Sequence, residues 1–181
     1  MRRVMTGVVF VLGYSLTLPA LAKEKGLQQA AERALGFKPV TVTAKKVSPP
    51  SGDKHDYMSV APYWWPDPRE LDGLPYIRRD GKRNPATRNR DSSDAPRFSQ
   101  LCSAVSDLTA GYRAGGDERY AKHAARLLKT WFIDADTRMN PNLNFAQAVP
   151  GRSEGRCFGI IELRAIVDLI DAVKMITNSD A

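Results

Sequence analysis

Two apolar stripes at helical spacing, parted by a pair of glycines, constrain this chain more than any other feature. Leu101, Val105, Leu108 and Tyr112 recur at steps of four, three and four residues, and the run stops at Gly115 and Gly116. Tyr120, Ala124, Leu127, Leu128 and Trp131 then take up the same spacing, with Arg119, Lys122, Arg126 and Lys129 largely on other faces. Asp117 stands where an N-cap for that second run belongs. A further run at 157–176 carries Ile160, Leu163, Ile166, Val167, Ile170 and Val173, and a shorter one from Leu27 to Leu35 stops at Gly36. The expected fold class is mostly α, built from antiparallel helix pairs with long irregular loops. The run at 157–176 needs partners on its apolar face and lies almost at the last residue, so the sequence reads as a domain cut short.

The loops are unusual. Residues 38–51 alternate Val and Thr and run into Ser48-Pro49-Pro50-Ser51-Gly52, which predicts a short extended piece ending in a turn. Residues 53–96 are dense in Pro, Gly, Asp and Arg and carry Tyr57, Tyr63, Trp64, Trp65 and Tyr76, with neither a helical nor a strand period. Residues 134–156 are irregular again. A stretch as long as 53–96 inside a compact domain tends to be functional, and its aromatics argue against a floppy linker.

The first residues read as an address. Arg2 and Arg3 precede an apolar run from Val8 to Leu18, and Pro19-Ala20-Leu21-Ala22 supplies small residues where a signal peptidase cuts. The run is shorter than the roughly 20 apolar residues that span a bilayer. The expected organisation is therefore a signal peptide at 1–22 and a mature part at 23–181, periplasmic or secreted and free of the membrane after cleavage. Hydrophobic residues make up 43% and charged residues 26%, which excludes wholesale disorder and a multi-pass membrane protein. The formal net charge of +7 favours an anionic partner, and export makes nucleic acid an unsuitable one. Two cysteines and two histidines rule out a Cys-rich zinc module. In an oxidising compartment Cys102 and Cys157 either pair or stay free as buried thiols, and both readings stand.

The most distinctive string is Lys54-His55-Asp56-Tyr57-Met58-Ser59-Val60-Ala61-Pro62-Tyr63-Trp64-Trp65-Pro66-Asp67-Pro68, followed by Pro75-Tyr76-Ile77-Arg78-Arg79-Asp80-Gly81 and Asn84-Pro85. With the segment from Asn142 to Arg152 and Gly159-Ile160-Ile161-Glu162, it strongly resembles bacterial exported proteins with the alginate-lyase-type domain. These are α/α-toroid polysaccharide lyases, and relatives act on other polyuronates such as glucuronan. The resemblance runs from about residue 35 to the last residue. It implies an incomplete α/α toroid, an acidic polysaccharide as partner and β-elimination with no metal or other cofactor. That chemistry needs donors that neutralise the uronate carboxylate, so that the proton at C5 becomes acidic, and a Tyr or His to take the proton. The family's Asn-His pair has no counterpart here, so no catalytic residue is assigned. The expectation is the N-terminal portion of a lyase domain. The alternative is a noncatalytic periplasmic polyuronate-binding protein or an inactive truncated product.

Candidate substrate contacts follow. The resemblance places Asn144 and Gln147 in a loop that meets the sugar, although Asn142 and Asn144 also suit a turn cap. Arg152 and Arg156 have the fork geometry for a carboxylate; a solvated loop arginine is the plain alternative. His55 and Tyr57 either line the cleft or belong to an aromatic clasp, the reading favoured for Tyr63, Trp64 and Trp65. His123, in a basic alanine-rich helix, suits a surface or interhelix role. Arg78, Arg79, Lys82, Arg83, Arg88 and Arg90 face only Asp80 within their segment. Six cations against one anion are expected in a lid that holds a polyanion, with Arg83, Arg88 and Arg90 as its candidate substrate contacts and a solvated basic loop as the alternative.

Overall fold

The structure, a computed structural model, describes residues 18–181. The charged and apolar parts of the expected signal peptide, residues 1–17, lie outside the described residues. Four helices carry the fold: α1 (Leu18–Ala34), α2 (Ala95–Gly115), α3 (Glu118–Phe132) and α4 (Ile166–Ile176). Four short strands sit between them: β1 (Met58–Val60), β2 (Trp64–Trp65), β3 (Ile77–Arg78) and β4 (Phe145–Ala148). The chain is mostly α, as the periodicity predicts.

The α2–α3 hairpin forms where the sequence places it. Gly116 adopts the left-handed region (φ 68), and its N–H bonds the Tyr112 carbonyl, which closes α2. Asp117 caps α3 by accepting from the Arg119 N–H at 2.9 Å. The helices are antiparallel, since Tyr112 near the end of α2 bonds Glu118 while Phe98 near its start packs on Trp131, ring centroids 5.8 Å apart. Leu101, Val105, Leu108, Ala124, Leu127 and Trp131 form the buried seam between them. On another face α2 takes α1, so closely that a Cβ on Gly111 would stand 2.2 Å from the Ala31 Cβ.

α1 is longer than the expected 27–35. Residues 18–22, read as the end of the signal peptide, form its first exposed turn, while its buried residues are Ala31 and Ala34. The 157–176 run divides into a 3-10 segment (Cys157–Leu163) and α4. The cause is tertiary: the Arg156 N–H bonds the Ala146 carbonyl, and Glu162 turns inward to Tyr57 and Ser59. α4 buries Leu169, Ala172 and Ile176 and leaves Val167, Ile170 and Val173 exposed. Phe158, Ile160 and Ile161 of the 3-10 segment are exposed as well. Beyond α4, the Asp180 N–H bonds Glu118 at the start of α3.

The irregular stretches hold more order than the sequence shows. β2 and β3 pair antiparallel, with Trp64 opposite Arg78 and Trp65 opposite Ile77. β1 pairs parallel with β4, Met58 opposite Phe145 and Val60 opposite Ala148. The Val-Thr piece is not extended throughout, because Val42–Ala44 forms a 3-10 turn. Just after it Lys45 is drawn fully inside, where its ammonium donates to the Val42 and Lys54 carbonyls at 2.7 and 2.8 Å. It also pairs with Asp94 at 2.9 Å, and Asp94 accepts from the Met58 N–H at 3.0 Å. This clamp fixes β1 to the start of α2.

Candidate functional site

A groove of about 880 Å³ opens between α2, the β2–β3 hairpin and the 3-10 segment before α4. Ser99, Cys102, Ser103 and Ser106 of α2 form one side. Tyr63, Trp64, Arg78 and Arg83 come from the hairpin side, and Gln147, Arg156, Glu162 and Arg164 face them. Four arginines against Glu162 and Asp168 leave the groove cationic.

Gln147 is the most tightly specified residue in this wall. Its φ of 50 lies in the left-handed region, which costs a side-chain-bearing residue about 1–3 kcal/mol. Three bonds hold it there. Its N–H donates to the Ser59 Oγ at 2.8 Å, its carbonyl accepts from the Arg156 Nε at 3.0 Å, and its Oε1 accepts from the Arg156 Nη2 at 2.9 Å. Because the guanidinium only donates, it fixes which end of the amide is oxygen. The Nε2 donor is thereby left without a partner among the described residues. Burial, with the Arg78 cation nearby, pulls the Arg156 guanidinium below its ordinary value, yet an arginine stays charged at any pH the fold survives.

The other candidates are dispersed. Arg83 is exposed on the groove wall, whereas Arg88 is exposed outside it and Arg90 bonds the Gln100 side chain beside a separate cavity. The segment carrying them is anchored as a wall: the Asn84 amide donates to the Trp64 carbonyl at 2.7 Å, and the Trp65 indole donates to the Lys82 carbonyl at 2.8 Å. Arg152 is exposed outside the groove lining, its Nε donating to the Tyr76 carbonyl and its guanidinium 5.5 Å from the centre of the Trp64 ring. Tyr57 is fully buried behind the wall and donates to Glu162 at 2.8 Å; burial and that carboxylate push its phenol well up. His55 lies outside the groove lining, its Nδ1 2.6 Å from the Arg138 carbonyl oxygen. Asn144 is exposed and also outside the lining; Asn142 caps its turn by accepting the Asn144 N–H and donates to Asp56. His123 bridges α3 to the Phe37 carbonyl.

Of the aromatic triplet, Tyr63 and Trp64 line the groove while Trp65 packs under Arg79. Sequence reasoning placed Arg78 only among the six cations of the basic segment and did not single out Arg164 or Glu162 as site residues. Glu162 sits at helical spacing in an apolar run, and only its being a lone carboxylate among Ile160, Ile161 and Leu163 hints at a role. Cys102 is buried and Cys157 exposed, and both are free thiols. Among the described residues no three His, Cys, Asp or Glu side chains converge as a metal ligand set, and no helix is long and apolar enough to cross a membrane.

Residues 41–181 match the alginate lyase family. The fold is similar to the crystal structure of an alginate lyase from Bacteroides ovatus, with 43% sequence identity and a TM-score of 0.85. The match covers 91% of this chain and 43% of that one, so this chain spans less than half the length of the solved relative. No curated protein matches.

Proposed function

Because the chain belongs to the alginate lyase family, we propose that its groove binds a stretch of acidic polysaccharide, alginate or a related polyuronate, as part of a lyase that cleaves by β-elimination. The observation that carries this reading is the pairing of Arg156 with Gln147 on the wall of a cationic groove. Elimination starts from a C5 proton that is acidic only when the neighbouring carboxylate is neutralised. Arg156, Arg78 and Arg83 supply the positive charge, and the Gln147 Nε2 supplies a directed donor. Trp64 and Tyr63 give flat apolar surface for the sugar rings.

In this reading the chain contributes binding and charge neutralisation, and proton transfer belongs to residues of a longer domain closed as an α/α toroid. The chain is exported, residues 1–22 are removed, and the protein works in the periplasm or outside the cell. A second reading, a noncatalytic polyuronate-binding protein, is favoured by one observation: Tyr57 is buried outside the groove lining and committed to Glu162, so it offers no phenol to the groove.

The test is equilibrium binding of the purified chain to alginate, polyguluronate and glucuronan at several salt concentrations, with absorbance of the unsaturated uronate product followed in the same samples. Binding that weakens as salt screens the arginines is expected. Absence of binding to all three at low salt would refute the proposal. Binding with rising absorbance supports the lyase, and binding without it supports the noncatalytic reading.

A further inference from the structure

We infer that Glu162 is a positioning residue of the groove, acting through Ser59 on Gln147. This rests on the groove being the uronate site. A carboxylate in the wall of an anion-binding groove opposes its ligand unless it has other work, and the geometry shows that work. The Glu162 Oε2 accepts from the Tyr57 hydroxyl at 2.8 Å and from the Ser59 hydroxyl at 2.6 Å. Ser59 is fully buried and has a single hydroxyl hydrogen. Giving that hydrogen to Glu162 turns the Ser59 lone pairs toward the Gln147 N–H, which donates to them at 2.8 Å. The result is one relay from the 3-10 segment through β1 to β4.

Its end point is the residue that needs holding. Gln147 keeps its left-handed backbone because Ser59 takes its N–H while Arg156 takes its carbonyl and side-chain oxygen. Without the carboxylate the Ser59 hydroxyl is free to rotate, the Gln147 N–H loses a fixed acceptor, and the Nε2 donor is no longer aimed. The two hydroxyls also hold the negative charge of Glu162 against the wall, which limits its repulsion of a uronate.

The test uses the 181-residue chain and four variants: Glu162→Ala, Glu162→Gln, Ser59→Ala and Tyr57→Phe. Three quantities are read: hydrogen exchange at the Gln147 amide by NMR, affinity for a saturated mannuronate trisaccharide, and melting temperature. Glu162→Ala and Ser59→Ala are expected to speed exchange at Gln147 and weaken trisaccharide binding roughly tenfold, the scale of one lost hydrogen bond. Glu162→Ala also orphans the buried Tyr57 hydroxyl, so its melting temperature should fall by a few degrees, and Glu162→Gln should restore it. Glu162→Gln still offers an oxygen to both hydroxyls, and Tyr57→Phe leaves the Ser59 bond intact, so both should stay within about threefold of the parent. Unchanged Gln147 exchange in Glu162→Ala overturns the inference. So does an affinity loss that tracks the melting temperature and is not rescued by Glu162→Gln. If the parent chain binds no trisaccharide, the uronate reading fails, and exchange at Gln147 alone then decides the relay. Should Glu162→Ala unfold, Ser59→Ala carries the same decision.

Discussion

Lys45 offers the sharpest test of how this fold is held. Its ammonium and the Asp94 carboxylate are both fully buried, 2.9 Å apart, and Lys45 also satisfies the carbonyls of Val42 and Lys54. Burial lowers Lys45 and raises Asp94 from their ordinary values, so desolvation outweighs their mutual attraction. Such a pair adds little net stability, but breaking it from one side is severe. Lys45→Met leaves the buried carboxylate with only Arg97, 3.7 Å from its other oxygen, at a cost toward the lower end of roughly 3–5 kcal/mol. That is a large share of the roughly 5–15 kcal/mol that holds an ordinary domain. Adding Asp94→Asn removes the charge and keeps an oxygen for the Met58 N–H, leaving a deficit of about 1–3 kcal/mol, mostly from the buried Val42 carbonyl, since the part-buried Lys54 carbonyl can turn to water.

The sign with pH follows. With the folded value of Asp94 above the unfolded one, stability is full below the ordinary carboxylate range and is lost as pH rises through the folded value. Lys45 and Arg97 both oppose this rise, Lys45 the more strongly, so the deficit of Lys45→Met should be largest at neutral pH and shrink in acid. Urea unfolding followed by tryptophan fluorescence, with buried Trp131 as one reporter, gives the midpoints. A Lys45→Met variant within about 1 kcal/mol of the parent would refute the reasoning, as would a double variant no more stable than that single one.

Three further outcomes are expected. Gly111→Val should force α1 from α2 and cost about 1–3 kcal/mol in the same urea experiment, because even a Cβ there would stand 2.2 Å from Ala31. Cys157, being exposed, should react quickly with a thiol reagent, while Cys102, buried and pushed up to about 12, should react only on unfolding. Arg83→Ser should weaken polyuronate binding at low salt and flatten its salt dependence, whereas Arg88→Ser and Arg90→Ser, outside the groove, should leave both nearly unchanged.

What the sequence made legible was local. The α2–α3 hairpin could be read because its stripes, its glycine break and the Asp117 cap lie close along the chain. The strands could not, since each has two to four residues, too few to show a period, and β1 meets β4 only across the helical hairpin. Gln147 stood out as a candidate, but its left-handed backbone and the Arg156 clamp arise from contacts that no spacing announces. Nothing in the residues around Lys45 marks it for burial, and its partner Asp94 lies on the far side of the aromatic stretch. Arg88 and Arg90 show the converse: a run of like charges gives no direction to its side chains, and the turn through Pro85–Arg88 points the later ones elsewhere. The apolar run at 157–176 shows its period, but which of its residues are covered (Leu169, Ala172 and Ile176) and which are bare (Val167, Ile170 and Val173) is set by how α4 packs on the rest of the fold.

A structure of this chain soaked with a saturated uronate trisaccharide tests the central claim most directly. The account predicts one carboxylate within hydrogen-bonding distance of the Arg156 guanidinium, the Gln147 Nε2 on the same sugar, and a ring lying against Trp64. A trisaccharide seated elsewhere, such as the second cavity lined by Leu27 of α1, Ala110 of α2 and Met175 of α4, with Arg156 and Gln147 untouched, would contradict it.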